Sequence, residues 1–155
     1  MINTFLSEEW SFIAIIFFGI IAYIAWIRWQ DHRWIENRFG RDNVIAMSFG
    51  INYFGRTSEP GKAIRSSGFL ILLKDRVVYR SRWKKKQVEI TGVSIRRLYP
   101  DSVHKNTDLH QSVMKIDFEL EGGRLDSVAF RVPYPPQWIQ AIANISPNLL
   151  KQDPE

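Results

Sequence analysis

Between Trp10 and Ile27 the chain reads WSFIAIIFFGIIAYIAWI, 18 residues without a charge, in which Ser11, Tyr23 and the two indoles supply the only polar side-chain groups. A soluble amphipathic helix would place a charge or an amide at every third or fourth position. Eighteen to twenty such residues, at 1.5 Å each, match a hydrocarbon layer of about 30 Å. The run therefore predicts a membrane-spanning helix over 10–29. Trp10 stands at one end, Trp26 and Trp29 at the other, where indoles favour the headgroup layer. With Arg28, Arg33 and Trp34 they form the expected membrane-interface set.

A cleaved leader would carry basic residues before the run and small residues after it. Here Glu8 and Glu9 precede it and Trp26-Ile27-Arg28-Trp29 closes it, so the helix is read as a retained anchor. The first nine residues hold no Lys or Arg, whereas Arg28, Arg33, Arg38 and Arg41 follow the run. Basic flanks stay cytoplasmic. The expected topology is a single pass through the cell (inner) membrane, with residues 1–9 outside and the remainder in the cytoplasm. Ser11, Ala14, Ala22 and Ala25 fall near one side of the helix with Gly19 beside them, a face on which a second helix can approach closely in lipid.

Two of the 16 acidic residues, Glu8 and Glu9, precede the helix, so the part after it carries 21 bases against 14 acids, a formal +7. Such a body is attracted to an anionic leaflet. The absence of cysteine excludes disulfides, thiolate metal sites and cysteine catalysis.

Residues 30–42 predict a helical linker: Trp34, Ile35 and Phe39 recur at helical spacing and Gly40 is a stop. Beyond Asp42 the period changes. NVIAMSFGINYF, FLILLK, RVVYRSRW, QVEI, VSIRRLY, VMKIDFEL and LDSVAFRV are short and rich in β-branched and aromatic residues. Turn chemistry separates them: Pro60-Gly61, Ser66-Ser67-Gly68, Asp75-Arg76, Lys84 to Lys86, Thr91-Gly92, a polar loop from Asp101 to Ser112, and Gly122-Gly123. Across Gly122-Gly123, Ile116, Phe118 and Leu120 alternate with charged residues, a hairpin pattern. PYPPQWIQAIANI then places prolines at a helix start and sets Trp138, Ile139, Ile142 and Ile145 in one stripe. The expected body is mainly β, six or seven antiparallel strands closed by one C-terminal helix, with a free tail over 146–155.

GFLILLKDRVVYRSRWKKKQVEI resembles the stretch of bacterial pleckstrin-homology-like (PH-like) domains in which a Gly opens a strand and an Asp-Arg turn leads into an aromatic-rich return. EGGRLDSVAFRVPYPPQWIQAI resembles their last hairpin and closing helix. The resemblance covers residues 43–145 and implies a small, strongly twisted barrel capped by a helix, whose relatives bind phosphoinositides, proteins or nothing identified. VEITGVSI and the long YPDSVHKNTDLHQS segment depart from the compact pattern.

Arg76, Arg80, Arg82, Trp83, Lys84, Lys85 and Lys86 form the expected lipid- or partner-binding hairpin: cations for phosphates, an indole for the interface. Lysines that merely guard a strand edge give the same pattern. His104, Asp108 and His110 lack a rigid element to hold a metal, and the scattered acids offer no paired acid and base. No phosphate loop, nucleophile elbow or zincin pattern occurs. The sequence thus points away from an enzyme and from any cofactor or metal, and a membrane tether points away from nucleic acid. It points to an adaptor or accessory subunit of a membrane complex that contacts other subunits, or to a reader of anionic membrane lipids.

Overall fold

The computed structural model describes residues 2–83 and 86–149. Two compact units emerge, Met1–Asp42 and Asn43–Glu155.

The first unit is one helix, α1 (Ile2–Phe39, 38 residues). It begins upstream of the apolar run and continues without a break through the basic segment that follows it. Gly40 ends it, its N–H bonded to the Glu36 carbonyl at 3.0 Å. Every side chain from Trp10 to Trp26 is exposed. The helix is long and apolar enough to cross a membrane.

The second unit contains β1 (Val44–Arg56), β2 (Ser66–Leu73), β3 (Arg76–Ser81), β4 (Gln87–Thr91), β5 (Ile95–His104), β6 (Thr107–Glu119), β7 (Leu125–Arg131) and α2 (Pro135–Asn144). The strands form one antiparallel sheet in the order β4-β3-β2-β1-β7-β6-β5. β1 is the hinge of this sheet: its first half pairs with β2 and its second half also with β7. The register slips between Phe49 and Ile51, where Gly50 takes a φ of 73°, a bulge that bends the strand.

Alternation then sorts the side chains. Ile51 and Tyr53, Leu70 and Leu72, Val77 and Tyr79, Ile116 and Phe118, and Val128 and Phe130 enter one core, together with Trp138 and Ile142 from α2. Tyr53, Tyr79 and Phe130 stack at its centre with ring centroids 4.8, 5.4 and 5.6 Å apart. Each large side chain so buried contributes roughly 1.5–3 kcal/mol, so the seven strands and the helix stand or fall together. Pro135 and Pro136 occupy the first turn of α2, as their missing N–H groups permit. Ile139 and Ile145 complete the stripe, partly buried against the same core.

Two local expectations are corrected. Ser66-Ser67-Gly68 is the start of β2 and not a turn. Gly68 is there because β3 passes so close that a Cβ would sit 2.1 Å from the Arg80 carbonyl oxygen. The polar stretch 101–112 is not a loop: it is the outer half of a long hairpin, β5 and β6, turned by Lys105 and Asn106 at φ 51° and 56°, the geometry of a tight primed turn. Its polarity reflects exposure on one side. On the other, Val113 and Leu109 pack with Phe54, Ala63 and Ala129 in a small second core outside the barrel. VEITGVSI divides at the turn expected from Thr91-Gly92, into β4, a 3-10 turn at Gly92–Ser94, and β5. The Gly92 N–H meets the Asp75 carbonyl at 2.7 Å.

Gly68→Ala should destabilise the body by about 3 kcal/mol, because the obstacle is backbone and cannot swing aside. Denaturant unfolding of the full chain in detergent, followed by near-ultraviolet signals of Tyr53 and Tyr79, measures it; an unchanged midpoint contradicts the packing described.

Candidate functional site

β1 and β3 run in the same direction with β2 reversed between them, so the β1–β2 loop (57–65) and residues 82, 83 and 86 between β3 and β4 lie at the same end of the barrel. The β6–β7 turn (120–124) joins them there, since β7 starts beside the end of β1. Lys62, Ile64 and Arg65 are exposed on the first loop, Arg82 and Trp83 on the second, and Arg124 on the third. Trp83 is 80% exposed and Ile64 66%. Arg65 is steadied by donating from Nε to Asn52 Oδ1 at 2.9 Å.

The basic hairpin anticipated from sequence is thus divided. Arg76 lies at the far end of β3, where its guanidinium meets Asp75 at 2.7 Å and Glu89 at 3.2 Å; the same bond holds the Asp75 carboxyl below its usual range. Arg80 is on the outer face one residue before the end of β3, paired with Gln87 and Phe69. Arg82 and Trp83 are at the tip. Lys86 turns inward: its Nζ lies 2.5 Å from Glu59 Oε1 and 5.1 Å from the centroid of the Tyr53 ring. Burial alone would raise the Glu59 carboxyl, but hydrogen bonds from Lys86 and the Arg56 N–H outweigh it and hold it low. Lys84 and Lys85 lie outside the described residues.

On α1, Trp10 and Trp29 are separated by 19 residues, about 28 Å of helix. Arg33 stacks over Trp29 at 4.8 Å and Arg38 over Trp34 at 5.6 Å, pairings one turn apart that suit a zone both apolar and wet. Arg28 is exposed beside Trp26 and Trp29. Ser11, Ala14, Gly19, Ala22 and Ala25 are all exposed, and a Cβ on Gly19 would meet nothing within 4 Å.

The β5–β6 hairpin brings together residues that sequence reading did not connect. His104 is 1% exposed, and its Nε2 donates to the Gly55 carbonyl at 2.9 Å. Nδ1 is then the acceptor nitrogen, and it has no partner among the described residues. Beside it a cleft of about 450 Å3 opens between the hairpin and the β1–β2 loop, lined by Thr57, Glu59, Asp101, Lys105, Asn106 and Lys115, among others. Lys115 donates to Asp101 at 2.9 Å; burial pulls the Lys115 ammonium down, but that bond prevails and keeps it raised. The signal for this arrangement was present in Lys105-Asn106, a turn dipeptide flanked by Val103, Leu109 and Val113. It was masked by the polar residues between them. His110 and Asp108 sit exposed with nitrogen and oxygen 3.4 Å apart, away from the Gly55 bond that occupies His104. Among the described residues no three His, Asp or Glu side chains converge as a metal site.

No protein-family model matches the sequence, and no curated protein matches it. Among solved structures, the Vps36 N-terminal PH domain is similar over 70% of this chain and 82% of its own length, with 14% identity and a TM-score of 0.50. The body has a PH-like fold. A chain of the 8S snRNP assembly intermediate aligns over 73% of this chain and 86% of its own at 7% identity, with a TM-score of 0.47, too low to add to the argument. At 14% identity the likeness to the PH domain speaks for the scaffold alone, which hosts many functions.

Burial, reinforced by Lys115 and Lys105 and opposed by the bond to Gly55 and by Asp126, holds the His104 imidazole below its ordinary value. Its unfolded value is about 6.5. The stabilisation from the neutral ring is therefore complete above about pH 6.5 and is lost progressively below it, as unfolding takes up a proton that the folded hairpin refuses. The protection factors of amides 105–113, taken relative to the intrinsic exchange rate at each pH, should fall between pH 6.5 and 5, with a stability slope of at most about 1.4 kcal/mol per pH unit. His104→Gln, which keeps a donor for Gly55, should flatten that slope; an equal slope in the variant refutes the assignment.

Proposed function

We propose that the protein is a single-pass membrane adaptor, anchored by α1 with its N-terminus outside the cell membrane, and that its cytoplasmic PH-like body binds rather than catalyses. The partner best supported is the anionic surface of the membrane itself. One observation carries this reading: at the end of the barrel where three connections meet, Trp83 and Ile64 stand exposed among Lys62, Arg65, Arg82 and Arg124. Apolar side chains ringed by cations suit the headgroup layer, where each Lys or Arg near an anionic surface contributes about 1 kcal/mol and the indole seats in the interface.

A second reading is supported by a different observation. Arg76 and Lys86 are both matched by local acids, so less charge faces outward than the sequence implies. A body of modest charge, on a helix with a small-residue face, suits an accessory subunit of a larger membrane complex.

The two are separated by one pair of measurements. With the body immobilised at equal surface density, vesicles containing 30% phosphatidylserine should bind, and binding should fall at least tenfold for Trp83→Ala combined with Lys84→Glu and Lys85→Glu, since three favourable contributions of about 1 kcal/mol are removed. Neutral vesicles should not bind. Equal binding of wild type and variant removes the lipid reading, and a stable high-mass species after gentle detergent extraction, with fixed stoichiometry, favours the subunit.

A further inference from the structure

An antiparallel sheet that does not close leaves edges, and each edge is a row of unpaired N–H and C=O groups that invites another strand. Three such edges occur among the described residues of this body. β4 carries Gln87 and Glu89. β5 carries Arg96, Arg97 and Pro100. Charge and proline are the usual means of blunting an edge. The third is the first half of β1. β7 pairs with β1 only from Asn52 onward, so the side of Val44–Ser48 turned away from β2 has no strand beside it among the described residues. That stretch, Val-Ile-Ala-Met-Ser, has neither charge nor proline; its one irregularity is a register slip against β2 between Val44 and Ala46.

A cleft of about 320 Å3 runs along this edge. Ala46, Met47 and Ser48 form one wall, and Pro133, Tyr134 and Trp138 belong to the other. Every residue lining it is uncharged, in contrast to the cleft beside His104. Tyr134 is 72% exposed and holds a left-handed backbone, φ 50°, immediately before α2. A non-glycine residue in that region is strained, and such strain collects at ligand clamps.

We propose that the Val44–Ser48 edge of β1 binds an extended, uncharged segment of another protein by strand addition. The segment would pair with the β1 backbone and set its apolar side chains on the wall of Tyr134 and Trp138, the mode in which main-chain bonds give affinity and alternate side chains give selectivity. Five residues of edge admit a segment of about five residues, some 17 Å. The chemistry of the occupant follows from the walls: a charged side chain would lose water there without finding a partner. A second copy of this body would have to bring its own sheet edge past α2, which bounds the cleft opposite β1. This surface is at the opposite end of β1 from the loops assigned to the membrane, so neither proposal depends on the other.

The test uses the full chain in nanodiscs and the peptide acetyl-Thr-Val-Thr-Val-Thr-amide as probe. The peptide should slow amide exchange within residues 44–48 at least tenfold at saturation. The same peptide N-methylated on alternate residues, so that one hydrogen-bonding edge is blocked, should leave that exchange unchanged. Tyr134→Asn keeps a residue that tolerates positive φ while removing the ring; it should weaken peptide binding about tenfold and leave vesicle binding as in the wild type. Absence of protection, equal protection by the methylated peptide, or protection that appears without peptide as protein concentration rises would each overturn the proposal, the last by making a second copy the occupant.

Discussion

The exposed apolar surface of residues 10–27 is the largest physical demand in the chain, since holding it in water is costly. Ten Ile and Phe side chains fall in that run, each favouring the bilayer centre by about 0.3–0.6 kcal/mol, so insertion gains roughly 3–6 kcal/mol from them alone. The folded chain provides no alternative shelter, since every side chain from Trp10 to Trp26 is exposed. A core helix of a soluble protein of the same composition would be buried. Because α1 continues unbroken to Phe39, the constraint extends to the basic segment: Arg33 and Arg38 are set one turn from Trp29 and Trp34, an arrangement suited to the boundary between lipid and water.

Within the body the organising element is β1. Gly50 bends it, and its thirteen residues reach from the uncharged cleft by α2 to the loops that carry Trp83 and Ile64. One strand thereby gives the body two ends of opposite chemistry. The cationic end, with its exposed apolar tips, suits a charged and wet surface. The neutral end, with an open backbone, suits a peptide. The barrel between them is centred on the packed rings of Tyr53, Tyr79 and Phe130.

Much of this architecture was legible in the sequence because alternation and turn residues act locally. The strands from FLILLK to LDSVAFRV, the Gly122-Gly123 hairpin and the Trp138 stripe follow from side-chain parity and need no knowledge of the partner strand. What was not legible depends on distance. Gly68 looks like a turn residue until β3 is found against it. The stretch from Asp101 to Ser112 looks like a loop because only one of its sides is covered, by Phe54 and Ala129 from elsewhere in the chain. The basic hairpin shows the same limit. Six cations near one tryptophan read as one patch, yet Arg76 and Lys86 are claimed by Asp75, Glu89 and Glu59, of which Glu59 is 27 residues from its lysine.

Anchoring by α1 is the claim on which location, orientation and partner all rest, and alkaline carbonate extraction tests it most directly. Membranes bearing the full chain, and membranes mixed with a chain lacking residues 1–29, would be washed at high pH and sedimented. Integral anchoring predicts that the full chain stays in the pellet while the shortened chain is released. Release of the full chain into the supernatant as a monodisperse soluble protein would contradict it.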